Sequence, residues 1–208
     1  MLNITRLGEK SVVLHCLSPD FGRRSFVATV SRNQGMAYYL PLKILDFEVV
    51  ENQHSDLWRI RSVSAVYPLS GIRSSIGKNT MTLFMSEVLY RTIRDGACED
   101  GLFEWCERSI LTLDAMESDY ANYHLRFLME LATVLGFAPS VEGLAPFAGD
   151  MLPALARMLK ASFPEAMMLP LNGAERNGMA QVLLQYISCH VDARIEARSL
   201  PVLRELFT

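Results

Sequence analysis

Cysteine is scarce in this 208-residue chain: four are present, Cys16, Cys98, Cys106 and Cys189, all far apart and none in a CxxC pair. So few and so dispersed thiols argue against a disulfide framework, which belongs to short, cysteine-dense chains. A zinc site needs clustered ligands, and the adjacent Cys189 and His190 would point about 100° apart on a helix. The thiols read as small buried hydrophobes, and no metal or cofactor is expected. Long hydrophobic runs are missing too. A stretch such as Ala166 to Leu171 is far shorter than the roughly 20 residues that cross a bilayer. The first ten residues carry Thr5, Arg6, Glu9 and Lys10 without a continuous apolar core, unlike a secretory signal. A cytoplasmic protein that does not meet membranes is the expectation.

Catalytic signatures are also absent. No GxSxG, HExxH or DxD-type arrangement occurs, and His15, His54, His124 and His190 are scattered. Glu104 with Glu107, and Asp114 with Glu117 and Asp119, read as solvated helix faces. The stretch Gly71 to Thr80 superficially resembles a phosphate-binding loop. It has five residues between Gly71 and Gly77, and Asn79 follows Lys78. The loop needs four, then Ser or Thr after the lysine to hold Mg²⁺. It reads as a polar linker into a helix cap, and the chain as a protein other than an enzyme.

What is present is a split in charge. Up to Lys78 there are ten basic residues against six acidic; the remainder has ten against seventeen, giving the net −3. Half of all residues are hydrophobic and 21% are charged, ordinary values for a globular chain with a sizeable core. A basic segment joined to an acidic one suggests polyanion binding at one end and protein contacts at the other.

Hydrophobic periodicity changes at the same place. Strand-like alternation marks Leu2 to Leu7, Ser11 to Leu17, Arg23 to Val30, Leu42 to Val50 and Leu57 to Val66, separated by turn formers. Five short antiparallel strands in so few residues fit a small closed barrel, which also removes exposed edges. Past Pro68 the spacing becomes helical. Asn79 or Thr80 can cap a first helix, Asp100 a second, and Asp119 a third that runs to Gly136 and is apolar nearly all round, as at the centre of a bundle. Residues 139 to 170 are weaker, with one helix from Met151 to Ser162. Ala174 to His190 is clearly periodic, and Ser199 can cap a last helix ending at Phe207. The fold class is therefore α+β: a five-stranded OB-like barrel over 1–68 and an α-helical domain over 69–208.

From Pro68 onward, PLSGIRSS, LFMSEVLYRTIRD, LFEWCERSILTLD and ANYHLRFLMELATVLGFAP resemble the helical core of the RecO family of bacterial recombination mediators. RNGMAQVLLQYISCHV and SLPVLRELF are similar to its last helices, and FGRRSFVATVSR and LWRIRSVSAVYPL to its barrel strands. The resemblance implies an N-terminal OB-fold, binding of single- and double-stranded DNA, strand annealing, and help in displacing single-stranded-DNA-binding protein for recombinase loading. It implies as partners a RecR-like protein and the acidic C-terminal tail of single-stranded-DNA-binding protein, and a place at the nucleoid in DNA repair and recombination. The chain departs from the family pattern in three places. Its first strand is abbreviated. The segment Arg32 to Ala37 holds one basic residue where several are usual. The stretch after Pro139 lacks the four zinc-binding cysteines of many members.

Nucleic-acid binding by such a barrel needs cations for phosphates and aromatic platforms for bases. The candidates are Lys10, Arg23 and Arg24 beside Phe21 and Phe26, Arg32 near Tyr38 and Tyr39, and Arg59 and Arg61 next to Trp58. These can equally be ordinary surface arginines. In the third helix Arg126, with Leu125 and Met129, could rim an apolar pocket for the acidic tail, at a position where the family also carries arginine. Pairing of Arg126 with Glu130 four residues on is the other reading. A diverged protein-interaction adaptor with weak or no DNA binding is the alternative function.

Overall fold

The computed structural model describes residues 1–30, 39–52, 54, 55 and 57–207. Its strands are β1 (Asn3–Arg6), β2 (Ser11–Ser18), β3 (Gly22–Thr29), β4 (Leu45–Val50) and β5 (Trp58–Ala65). Gly8 between β1 and β2, and Gly22 at the start of β3, have φ of 81° and 58°, values that cost glycine nothing. The sheet order is β1-β2-β3-β5-β4. All neighbours are antiparallel except β3 and β5, which pair in parallel through Phe26 with Trp58 and Val27 with Arg59. That departs from the wholly antiparallel barrel expected from sequence, and it is the order of a partly open OB-type barrel.

The barrel is also less closed than expected. Among the described residues β1 and β4 form no ladder. The Met1 amine donates to the Lys43 carbonyl at 3.0 Å, and the Leu42 amide donates to Met1 O at 2.9 Å. Those two bonds bridge one end of the gap. Along β4 and β5, Glu48 faces Ser62 while Val49 faces Ile60, so Arg61 is the extra residue of a bulge, which sharpens the local twist.

Alternation decides which side chains fill the barrel. Val12, Leu14, Cys16, Phe26, Ala28 and Ile60 form one buried cluster with Tyr39, and Phe47 meets Phe26 edge-on at 5.0 Å. The other face is not left to water. Leu2, Leu17, Leu42 and Ile44 belong to the core of the helical body. This is why β2 reads SVVLHCL, apolar on both sides rather than alternating.

The helices are α1 (Ser70–Ser74), α2 (Ile76–Thr92), α3 (Leu102–Ala115), α4 (Tyr123–Val134), α5 (Val141–Ala148), α6 (Leu152–Lys160), α7 (Phe163–Met168), α8 (Gly173–Val191) and α9 (Leu200–Leu206). α2 starts earlier than Asn79 or Thr80 would set it, because Ser75 is the cap and its side chain accepts from the Lys78 amide. Gly101, at φ 77°, rather than Asp100, precedes α3. Asp119 (φ 57°) leads into a single 3₁₀ turn, Tyr120–Asn122, which feeds α4. α4 buries Leu125, Phe127, Leu128, Met129, Leu131 and Ala132, so nearly its whole circumference is enclosed. Asn172 and Glu175 close a capping box on α8. Before α9, the Ser199 amide and hydroxyl both donate to the Glu87 carboxylate, at 3.1 and 2.9 Å, and pin that helix to α2.

Candidate nucleic-acid interface

β3 opens with two adjacent arginines whose side chains leave the strand in opposite directions. Arg23 turns toward the helical body. Its guanidinium donates to the carbonyl of Tyr90 at 2.7 Å and to that of Ile93, the residues that end α2, where unpaired carbonyls and the helix dipole favour a cation. It lies 4.3 Å from the centroid of the Tyr90 ring, and Nε faces Asp95 at 3.3 Å without hydrogen-bond alignment. The Arg23 side chain is 12% exposed, so this cation is taken up by the fold and is unavailable to phosphate. Its backbone is held as well: the Arg23 amide donates to Ala97 O at 3.0 Å and the Arg23 carbonyl accepts from the Gly96 amide at 2.8 Å. Gly22 can only be glycine here, since a Cβ would sit 2.1 Å from Ala97 O.

Arg24 follows the row of Phe26 and Ala28 and emerges at the rim of the barrel. Its guanidinium lies over Trp58, 3.7 Å from the ring centroid, and Phe21 meets Trp58 edge-on at 5.1 Å. Phe21 is exposed; Arg24 and Trp58 are half-buried. The parallel β3–β5 pairing brings these three together. Sequence adjacency placed Trp58 with Arg59 and Arg61 instead, and only the 1-2-3-5-4 strand order reassigns it.

Arg59 and Arg61 sit on the solvent side of β5, both exposed. Among the described residues neither has an ion-pair partner. Asp46, Glu48 and Glu51 are exposed nearby on and after β4, so the face is mixed in sign rather than a continuous basic strip. Lys10 is exposed in the β1–β2 turn, and its carbonyl accepts from Val30 at the far end of β3. Arg32 lies outside the described residues. Tyr39 is buried in the barrel and offers no platform.

The face of β2 and β3 that OB modules commonly present to oligonucleotides is partly covered. His15 packs on Tyr90 of α2 at 5.1 Å, and its ring nitrogens meet Ser25 Oγ (2.8 Å) and Thr5 Oγ1 (3.1 Å). Burial, and then the Arg23 charge, push the His15 pKa below its ordinary value.

In the body, Arg126 donates to Glu130 at 2.7 Å and to the Ala161 carbonyl at 3.3 Å. Glu130 also accepts from the Trp105 indole at 3.3 Å, and Trp105 stacks on Phe127 at 5.2 Å. The helix pair is therefore formed, and Arg126 keeps partial exposure. Leu125 and Met129 point into the core, at 0% and 4% exposure, which corrects their assignment to a surface pocket: α4 is central, so its apolar side chains face other helices. Burial, with Arg176 nearby, pushes the His124 pKa down to about 4, and burial raises Cys106 to about 12, too high for a reactive thiol. Among the described residues no cluster of three potential metal ligands occurs, and no helix is long and apolar enough to cross a membrane.

Sheet order, partial closure and rim chemistry define the class: an OB-type module fused through a shared core to a helical body. A model of the recombination protein O C-terminal region matches residues 73–143. The DNA repair protein RecO of Flavobacterium psychrophilum is 27% identical, the alignment covering all of this chain and 97% of that protein. The protein of the same name from Bacteroides fragilis is 28% identical over all of this chain and 96% of its own length. That from Flavobacterium johnsoniae is 27% identical over all of this chain and 97% of its own. The chain is thus similar to proteins named DNA repair protein RecO over its whole length, and to the recombination protein O C-terminal model over residues 73–143.

Proposed function

We propose that this chain serves DNA repair and recombination as a mediator without catalytic activity of its own, binding DNA through the rim and solvent face of β5. The observation that carries this reading is the Arg24–Trp58–Phe21 cluster beside the exposed Arg59 and Arg61, unpaired among the described residues. Two guanidinium groups free to meet phosphate adjoin the exposed ring of Phe21, a platform for an unstacked base backed by the Arg24–Trp58 stack, the pairing that single-strand binding requires. Lys10 extends the cationic reach at the β1–β2 turn. Held strands can then be annealed, or single-stranded-DNA-binding protein displaced so that a recombinase loads, with a RecR-like protein as partner. Duplex DNA would be met by the same cations through phosphate contacts alone. On the body, Arg126 would receive the terminal carboxylate of the single-stranded-DNA-binding protein's tail, with Leu125 and Met129 supporting it from beneath.

The test is fluorescence anisotropy with a labelled single strand at rising salt. Replacing Arg59 and Arg61 together by Ala is expected to reduce the log–log salt slope by about 1.4, at roughly 0.7 per lost phosphate contact. An unchanged slope removes β5 from the interface, and salt-indifferent binding removes the DNA reading altogether. The capture of Arg23 by the body favours a second reading, an adaptor with weak DNA affinity. For an adaptor, Arg126→Glu abolishes binding of the acidic tail while the parent chain already lacks salt-dependent DNA binding.

A further inference from the structure

β1 is an end strand of the sheet, and its outer edge borders a groove of about 290 Å³ between the sheet and α2. The Leu7 amide donates to Ser11 O at 2.8 Å, which fixes the antiparallel alternation: Ile4 and Arg6 turn their backbone groups away from β2. The regular alternation starts after Leu2, whose amide still donates to His15 O at 2.7 Å and whose carbonyl accepts from the Ser86 hydroxyl; from Ile4 onward the outer contacts agree with it. The Ile4 amide is held only by its neighbour's side chain, Asn3 Oδ1, at 2.9 Å. Among the described residues no backbone partner takes the outward groups of Ile4 and Arg6. An unpaired strand edge is a template for an added strand.

The groove walls state what that strand would carry. Ile4, Pro41 and Leu83 give an apolar floor, and Leu83 is 42% exposed. Arg91 and Arg198 stand at the groove, both exposed, with no carboxylate partner among the described residues. The one acid there, Glu87, is committed to Ser199. Tyr90 is not free to stack a base, because its ring already carries His15 and Arg23. Main-chain donors, an apolar floor and two unanswered cations fit a peptide better than a polynucleotide.

We infer that this groove takes an extended acidic segment of a partner protein, added as a further strand along β1, with apolar side chains on the floor and carboxylates on Arg91 and Arg198. At about 3.3 Å per residue the exposed edge accommodates three or four residues. The site is separate from the β5 interface and from Arg126.

The experiment uses the full chain, a fluorescein-labelled hexapeptide alternating glutamate with valine, and its lysine–valine counterpart. Anisotropy is read at about 50 mM salt, where exposed charges are weakly screened. The acidic peptide is expected to bind at least about tenfold tighter than the basic one, and Arg91→Glu with Arg198→Glu to lose at least about tenfold. Arg6→Pro removes an amide outside the β1–β2 ladder, so the sheet stays intact while the added strand is weakened, and bound peptide slows exchange of the Arg6 amide in the parent chain. The inference fails if the acidic peptide does not bind, if the double charge reversal or Arg6→Pro has no effect, or if single-stranded DNA competes for the groove.

Discussion

Arg23 and Arg24 share a strand and a charge, and their consequences under mutation should differ. Arg23→Ala removes two charge-assisted bonds to the end of α2 and a ring contact. A loss of about 3 kcal/mol is expected in denaturant unfolding. Arg24→Ala gives up only a rim contact with Trp58, so stability should move by less than about 1 kcal/mol while affinity for a labelled single strand falls. Equal destabilisation by the two changes would refute the division. From sequence the two were indistinguishable, since alternation says only that neighbours face opposite ways. Which face is covered depends on where α2 packs, a contact between residues about 70 positions apart.

At the scale of the element, α4 was legible because its apolar residues surround it, and burial on all sides is what the structure shows. Within residues 139–170 only α6 was legible, Leu152–Lys160 falling inside the expected Met151–Ser162; α5 and α7, of eight and six residues and set apart by proline and glycine, were not. Helices this short are stabilised by their neighbours rather than by propensity. The enclosure of α4 has a titration consequence. His124 has a folded pKa of about 4 against an ordinary 6.5, so the unfolded chain takes up the proton first as pH falls. Stability is complete above about pH 6.5, declines by up to about 1.4 kcal/mol per unit below it, and has lost about 3 kcal/mol near pH 4. His15, also depressed, adds in the same direction. Urea midpoints measured from pH 7.5 to 4 should show the decline, and His124→Phe should flatten most of it.

For the molecule as a whole, the basic module and acidic body were visible in composition, as was the passage from strands to helices near Pro68. The covering of β2 and β3 was not, because apolar positions on both faces of β2 say only that something packs there. Leu2, Leu17, Leu42 and Ile44 complete the body's core, and the Arg23 backbone is laced to the loop after α2. A fragment of residues 1–68 would expose those four side chains to water, at about 1.5 to 3 kcal/mol each. It should therefore lack a cooperative melt, whereas the full chain should unfold in one calorimetric transition. Two separated transitions would show that the shared core contributes little.

The chain has only two tryptophans, and the fold assigns one to each half: Trp58 beneath Arg24 at the rim, Trp105 stacked on Phe127 in the body. Trp105→Phe leaves a single emitter at the tip of the module. Its quenching would report a ligand on that platform directly, and light emitted by Trp105 in the Trp58→Phe chain would follow the helical half by itself, without any attached dye.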